Sequence, residues 1–352
     1  SGVWIMAYTT IDKPTDYFET KLYTGDGSTL NVTGLDFQPD FTWLKCRGIA
    51  YHHRLYDVIR TPLDSLRSNA TNAESADGDG LSAFNSDGFT VTQGSDTEYN
   101  NSGVNYVSWN WLGSNTTASN TDGDITSTVS ANTTAGFSIG TYTGNATNST
   151  IGHGLGKKPE FIITKRRNST SSWRTQHGSL GALKTSELND TDAFTNASTV
   201  YNNTEPTSSV FTIGTASSIN ASGGTFVFYA FTSIQGYSKM GSYTGNGNAD
   251  GTFVYTGFKP AWVLIKRTDT TGSWKLFDNK RANSFNVIGV RLEANSSGAE
   301  SSSSTYNIDL VSNGFKLRGT SAEQNGSGNS FIYMAFAENP FVTSTKTAGT
   351  AR

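Results

Sequence analysis

The residues with which this chain could do chemistry are four histidines, a scatter of acids and a set of loop aromatics. His52, His53, His153 and His177 are the candidate general bases, because imidazole exchanges a proton near neutral pH. None stands at a recognisable spacing from a nucleophile. No G-x-S-x-G elbow leads from a strand to a helix, and no H-E-x-x-H, Walker or dinucleotide fingerprint is present. The pair His52-His53 lies in a polar, aromatic loop and reads as a solvated pair, with a ligand or metal contact as the alternative. Asp77-Gly78-Asp79-Gly80 and Asp122-Gly123-Asp124 offer oxygens to a calcium ion, yet both lack the acidic closing ligand of an EF-hand loop. They read as turns, so no metal and no cofactor is expected. Four aromatics, Tyr51, Tyr56, Trp173 and Trp274, flank loops carrying Asn and Asp. A ring face beside such hydrogen-bonding groups grips a sugar, which makes these four the candidate glycan-binding residues.

The elements that must position these residues recur three times. Tyr23-Thr24-Gly25 returns as Tyr142-Thr143-Gly144 and Tyr243-Thr244-Gly245. Each is followed by a proline and a hydrophobic run ending in bases: PDFTWLKCR from Pro39, PEFIITKRR from Pro159, PAWVLIKRT from Pro260. An aromatic segment comes next (RLYD from Arg54, SWRTQH from Ser172, SWKLFD from Ser273), then SDGFTV from Ser86, SSVFTI from Ser208 and SNGFKL from Ser312. Each copy closes on YVSWNW from Tyr106, FVFYAF from Phe226 or FIYMAF from Phe331. The offset of roughly 100 to 120 residues makes each copy domain-sized rather than a solenoid turn. The runs 41–45, 161–165 and 262–266 are apolar on both parities, as expected of central strands buried on both faces. The segment 106–111 alternates better. Segments 61–67 and 181–188 are the places where a turn or two of helix is expected. Trp43, Trp109, Trp111, Trp262 and the repeated Phe residues read as core. Asp57 and Asp278 match between copies, but copy two places Gln176 or His177 there, which suits a strand-end hydrogen bond better than catalysis.

Together these observations predict an all-β chain of three tandem antiparallel β-sandwich (jelly-roll-like) modules. The expected boundaries are module 1 over 1–113, a Ser/Thr/Asn-rich linker over 114–135, module 2 over 136–235, module 3 over 236–341 and a polar tail over 342–352. The short connection between 231 and 237 predicts that modules 2 and 3 pack as a stiff pair, with module 1 looser. Composition agrees: charged residues are 16 %, aromatics 12 %, and Gly, Ser, Thr and Asn abound. The formal net charge of −3 and the longest basic run, Lys165-Arg166-Arg167, give no support to a nucleic-acid groove. The single cysteine, Cys46, excludes an internal disulfide and reads as a small strand-end residue. No apolar stretch reaches the length of a membrane span, no signal peptide is read, and Met6-Ala7 is a candidate natural start.

The start MAYTTIDKPTDYF, followed by YTGDGS, FQPDFTWLK, SDGFTV and YVSWNW, resembles a family of virion proteins from phages of marine bacteria. The third copy carries the strongest likeness, in GSYTGNG, DGTFVYTGFKPAWVLIKRTD, NGFKLR and FIYMAFAENPF. The resemblance runs from about Met6 to Arg352. It implies tail-fibre or fibre-like proteins whose repeats resemble concanavalin-A-like or SPRY-like sandwiches, and it carries over no catalytic residue. The expectation is therefore a virion structural protein and not an enzyme: a tail fibre or other surface appendage in host attachment. The alternatives are a capsid (head) decoration protein and a carbohydrate-binding, lectin-like module. The expected partners are other virion proteins, host surface glycan and further copies of the chain, with no nucleic acid and no membrane insertion. The expected location is the virion surface, after synthesis in the host cytoplasm.

Overall fold

The three proline-led runs each become the inner strand of an antiparallel sheet in the computed structural model, which describes residues 9–76, 78–282 and 286–340. Met6, Asp77 and the segment 342–352 lie outside the described residues. In module 1 the strand order is Phe18–Thr24, Asn105–Trp111, Phe41–Cys46, Arg54–Asp57. Module 2 repeats it with Phe137–Thr143, Thr225–Phe231, Phe161–Arg166 and Arg174–His177, and module 3 with Ser238–Thr244, Ser330–Pro340, Phe258–Arg267 and Lys275–Asp278. We call these four the opening, closing, proline and fourth strands. Register is preserved as well as order. Trp43 sits between Trp109 and Leu55, Ile163 between Tyr229 and Thr175, and Leu264 between Met334 and Leu276. A slip of one residue in any copy would have turned its core side chains to the opposite face.

A second, smaller sheet covers each of these. Thr29–Thr33, Gly88–Thr92 and Gly80–Asn85 form it in module 1, Ser149–Gly152 and Val210–Ile213 in module 2, and Phe253–Tyr255, Gly314–Leu317 and Ile308–Val311 in module 3. The modules are thus all-β sandwiches. Between the sheets of each lies a private core: Leu44 and Phe89 in the first, Ile162 and Phe228 in the second, Val263 and Phe315 in the third.

The other parity of each proline strand faces a fourth core that belongs to all three modules. Phe41, Trp43, Phe161, Ile163, Trp262 and Leu264 all contribute to it. This explains why those strands are apolar on both parities. At its centre the matching closing-strand residues Trp111, Phe231 and Phe336 meet edge to face, with ring centroids 6.3, 5.7 and 6.0 Å apart. Three equivalent residues in mutual contact place the modules around a pseudo-threefold axis.

The expectation of a loose module 1 beside a stiff pair is thereby corrected: the modules close into a ring and share one core. The segment 114–135, expected as a linker, carries the strands Ala118–Asn120 and Ser127–Asn132, which extend the module 2 sheet beside its opening strand. Of the three buried side chains of Ser127–Asn132, two are hydroxyls with polar partners and one is Val129, so no hydrophobic period announces the strands. Ser127 Oγ donates to Gly152 O at 2.7 Å and Ser130 Oγ to Asp40 Oδ1 at 3.1 Å. The regions 61–67 and 181–188 hold the strands Asp64–Ser65 and Lys184–Glu187 rather than helix, while the α-helical turns are Ser198–Tyr201, Ser217–Asn220 and Ala322–Asn325. The closing strand of module 1 is buried on both faces despite its alternation. Asn110 fits inside because Thr42 Oγ1 donates to its Oδ1 at 3.0 Å and its Nδ2 donates to Glu19 O at 3.1 Å.

The Tyr-Thr-Gly signature has a physical reason in all three copies. Tyr23, Tyr142 and Tyr243 stack on Tyr106, Phe226 and Phe331 with centroids 5.0, 5.0 and 4.9 Å apart. Their hydroxyls donate to the carbonyls of Tyr99, Ile219 and Gln324, each at 2.7 Å. Gly25, Gly144 and Gly245 run against backbone: a Cβ on them would lie 2.3, 2.5 and 2.4 Å from the carbonyl oxygens of Asn101, Ala221 and Gly326.

Candidate functional site at the module joints

Each proline strand carries a lysine at its penultimate position, at the same register: Lys45, Lys165 and Lys266. All three are buried, and each ammonium donates to a carbonyl of its own loop and to one of a neighbouring module. Lys45 Nζ reaches Tyr51 O at 2.6 Å and Ser297 O, in module 3, at 3.0 Å. Lys165 Nζ reaches Ser171 O at 2.8 Å and Thr71 O, in module 1, at 3.1 Å. Lys266 Nζ reaches Gly272 O at 2.6 Å and Thr191 O, in module 2, at 2.8 Å. Burial pushes each lysine down to about 8. The direction of contact is cyclic: module 1 grips 3, module 2 grips 1, module 3 grips 2.

Two further positions repeat this rotation. His53, Trp173 and Trp274 donate from a ring nitrogen to Glu293 O, Arg67 O and Glu187 O, at 3.0, 2.8 and 3.0 Å. Two residues after each lysine, Arg47 pairs with Glu300 at 2.9 Å and Arg167 with Glu74 at 2.7 Å. The third joint replaces the ion pair with Thr268, whose carbonyl accepts from the N–H of buried Phe194 at 3.1 Å. The fourth strands end on Asp57, His177 and Asp278. Tyr229 Oη of module 2 donates to Asp57 Oδ2 at 2.7 Å, and Trp109 Nε1 of module 1 donates to Asp278 Oδ2 at 3.1 Å. Arg60 and Arg281 neutralise the two carboxylates from within their own modules, at 2.7 and 2.5 Å. Module 2 has His177 there, bonded to Tyr333 O of module 3 at 3.3 Å. The strand-end hydrogen-bonding role expected for Asp57 and Asp278 is what the geometry contains, and its partners lie across a joint.

The histidines are committed to structure. His53 accepts from Trp43 Nε1 on Nδ1 at 2.9 Å, so its proton sits on Nε2 and points to Glu293 O. The reading of His52-His53 as a solvated pair is corrected for His53, which is fully buried where module 1 meets module 3; burial drives its pKa well down. His52 is partly buried, with Nδ1 2.8 Å from Asn69 Nδ2. In His153 and His177, Nδ1 accepts from the N–H of Leu155 and Ser179, at 3.2 Å each, and Nε2 faces a carbonyl. Burial lowers both to about 4. Both nitrogens of these three rings are thus occupied by structural partners.

The four candidate glycan residues do not form a surface. Trp173 and Trp274 are fully buried in the shared core, and Tyr56 is 1 % exposed. Tyr51 is half-buried, its hydroxyl sharing a hydrogen bond with Thr97 Oγ1 at 2.9 Å. The correction is physical: the two tryptophans leave their own sheet at the joint, where the neighbouring module takes the place of solvent. Asp79 accepts from Asp96 N at 2.9 Å and Asp124 from Thr150 N at 2.9 Å, so both hold turns. Among the described residues no three His, Cys, Asp or Glu side chains group as a metal site. The joint lysines were missed as functional residues, although their signal was present: a base at one register in all three runs.

A ring of three antiparallel sandwiches, sealed by carbonyl-bound lysines, defines a multi-module all-β scaffold. The chain belongs to the DUF7483 family, a domain of unknown function, whose model matches residues 13–340 and so takes in all three modules. No curated protein matches the chain.

Proposed function

We propose that this chain is a structural protein of a phage virion, a tail fibre or comparable surface appendage that takes part in host attachment. The observation that carries the reading is the closed ring, in which ionisable groups of the interior are used to lock modules together. Lys45, Lys165 and Lys266 hold carbonyls across the joints, and the ring nitrogens of His53, His153 and His177 hold structural partners. Such a body suits load-bearing and display. Cys46 is a free, buried thiol, compatible with folding in a reducing cytoplasm before assembly on the virion surface. The resemblance to marine phage virion proteins supplies the particle, with other virion proteins and further copies of the chain as partners. A capsid decoration role uses the same architecture on the head. Cryo-electron microscopy of purified particles, with antibody labelling of the chain, tests the proposal. Density on the tail or its fibres is expected, density on the head selects decoration, and absence of the chain from particles refutes both.

A further inference from the structure

The outer sheets of the three modules are equivalent in position but not in chemistry. In module 1 the solvent-facing side of the edge strand carries Asn31 and Thr33, flanking buried Val32. A polar ladder crosses that face: Asn85 Nδ2 donates to Thr90 Oγ1 at 2.9 Å and Thr90 Oγ1 to Asn31 Oδ1 at 2.7 Å. At these positions module 2 has half-buried Thr150 and buried Gly152, which lies against Asn120, on either side of buried Ile151. Module 3 carries Phe253 and Tyr255 around buried Val254, and the two rings are 44 % and 53 % exposed. The register fixes this equivalence, because Thr33 opposes Gly88 as Tyr255 opposes Gly314.

The patch continues across the sheet. Phe253 opposes Lys316, and Lys316 opposes Asp309. Beyond Asp309 the antiparallel bridge between Ile288 and Ile308 brings Val287 alongside, 48 % exposed. Phe253, Tyr255 and Val287 are the exposed large hydrophobics among the described residues, and all three lie on this one module. The rim is ionic. Lys316 pairs with Asp250 at 2.6 Å, Arg318 lies 3.4 Å from Asp309, and Lys239 Nζ stands 5.5 Å from the Tyr255 ring centroid.

We propose that this face of module 3 binds a saccharide. Two rings at alternate positions of one strand stand about 7 Å apart on one face, and a ring face packs against the C–H face of a pyranose. Gly314 has no side chain to crowd Tyr255 from the neighbouring strand. Charged side chains held in place by their own ion pairs offer donors and acceptors to sugar hydroxyls at the rim. Three hydrophobic side chains fall well short of the about 800 Å² per partner that a stable protein interface needs, so size favours a small ligand over a second copy. The inference rests on the attachment reading for the source of the sugar, a bacterial surface glycan, and not for the binding itself.

The test is an array of bacterial capsule and lipopolysaccharide fragments probed with the purified chain, with titration of each hit. It is repeated with the double variant Phe253→Asn and Tyr255→Thr, the residues module 1 carries at those positions. The expected result is binding that the variant weakens at least about tenfold with an unchanged melting temperature. No binding to the array, or equal binding by the variant, overturns the proposal. So does patch-dependent dimerisation in sedimentation without glycan binding, which would give the face to a second copy. A chain found on particles that binds no saccharide sinks this inference alone, whereas a glycan-binding chain absent from particles sinks the virion reading alone.

Discussion

Replacing Phe336 by Ala probes whether the ring melts as one body. Phe336 is 1 % exposed and touches rings from two other modules: Trp111 at 5.7 Å and Phe18 at 4.9 Å in module 1, and Phe231 at 6.0 Å in module 2. Truncation removes a buried ring and leaves a cavity that three sheets must collapse to fill. A loss of about 4 kcal/mol is expected, within the usual span of about 3–5 kcal/mol for Phe→Ala. Size then discriminates between two models. If all 352 residues unfold together, the entropy of unfolding near the midpoint is about 0.7 kcal/mol/K, and the same loss lowers Tm by only about 5 °C. If module 3 unfolds alone, its roughly 100 residues give about 0.2 kcal/mol/K and a drop of about 20 °C confined to one transition. Differential scanning calorimetry reads this directly. The shared core predicts a single endotherm displaced as a whole. A scan in which one component falls steeply while the rest stays in place would refute the common core.

Three more outcomes are expected. Acid should weaken the protein between about pH 6.5 and 4: His153 and His177 are held at about 4, so the unfolded chain takes up protons first and stability falls with pH, by up to about 3 kcal/mol for each histidine. Asp40, which burial raises to about 6, and Glu19 and Asp64, which burial also raises, contribute in the opposite sense, but they do not offset two histidines and buried His53; a urea midpoint that stays level or rises from pH 7 to 4 contradicts this account. Glu74→Gln should cost about 3 kcal/mol, because it leaves Arg60 and Arg167, now 3.0 and 2.7 Å away, without their shared carboxylate at the joint of modules 1 and 2. Glu205→Gln, in an exposed pair with Lys158, should be close to neutral, and equal losses from the two in chemical denaturation would remove the joint from the stability argument. Gly144→Ala should cost about 1–3 kcal/mol by forcing a Cβ into the Ala221 carbonyl. Gly48→Ala meets nothing within 4 Å and should leave the melting curve in place.

Much of the architecture was legible in the chain because it depends on local pattern. Strand identity, strand position within each sheet and the equivalence of the copies follow from runs such as Phe161–Arg166 and from the Tyr-Thr-Gly signature, whose tyrosine and glycine are required by contacts inside one module. The candidate site was legible only in part. The bases ending each proline run were visible, but a buried lysine bound to a neighbour's carbonyl reads in sequence like any strand-end base. Trp173 and Trp274 looked like loop aromatics because sequence shows which residues leave a sheet and not what they meet. The strands Ala118–Asn120 and Ser127–Asn132 were hidden because hydroxyls satisfied by long-range partners leave no hydrophobic period. What the sequence determines by itself, then, is three copies of one β-sandwich, since period and turn chemistry act over a few residues. What the tertiary structure alone decides is their closure into a ring, and with it which aromatics are buried at a joint and which, as Phe253 and Tyr255 on module 3, are left facing water. That choice depends on contacts such as Trp111 against Phe231 and Phe336, between residues more than a hundred positions apart, for which no local pattern exists.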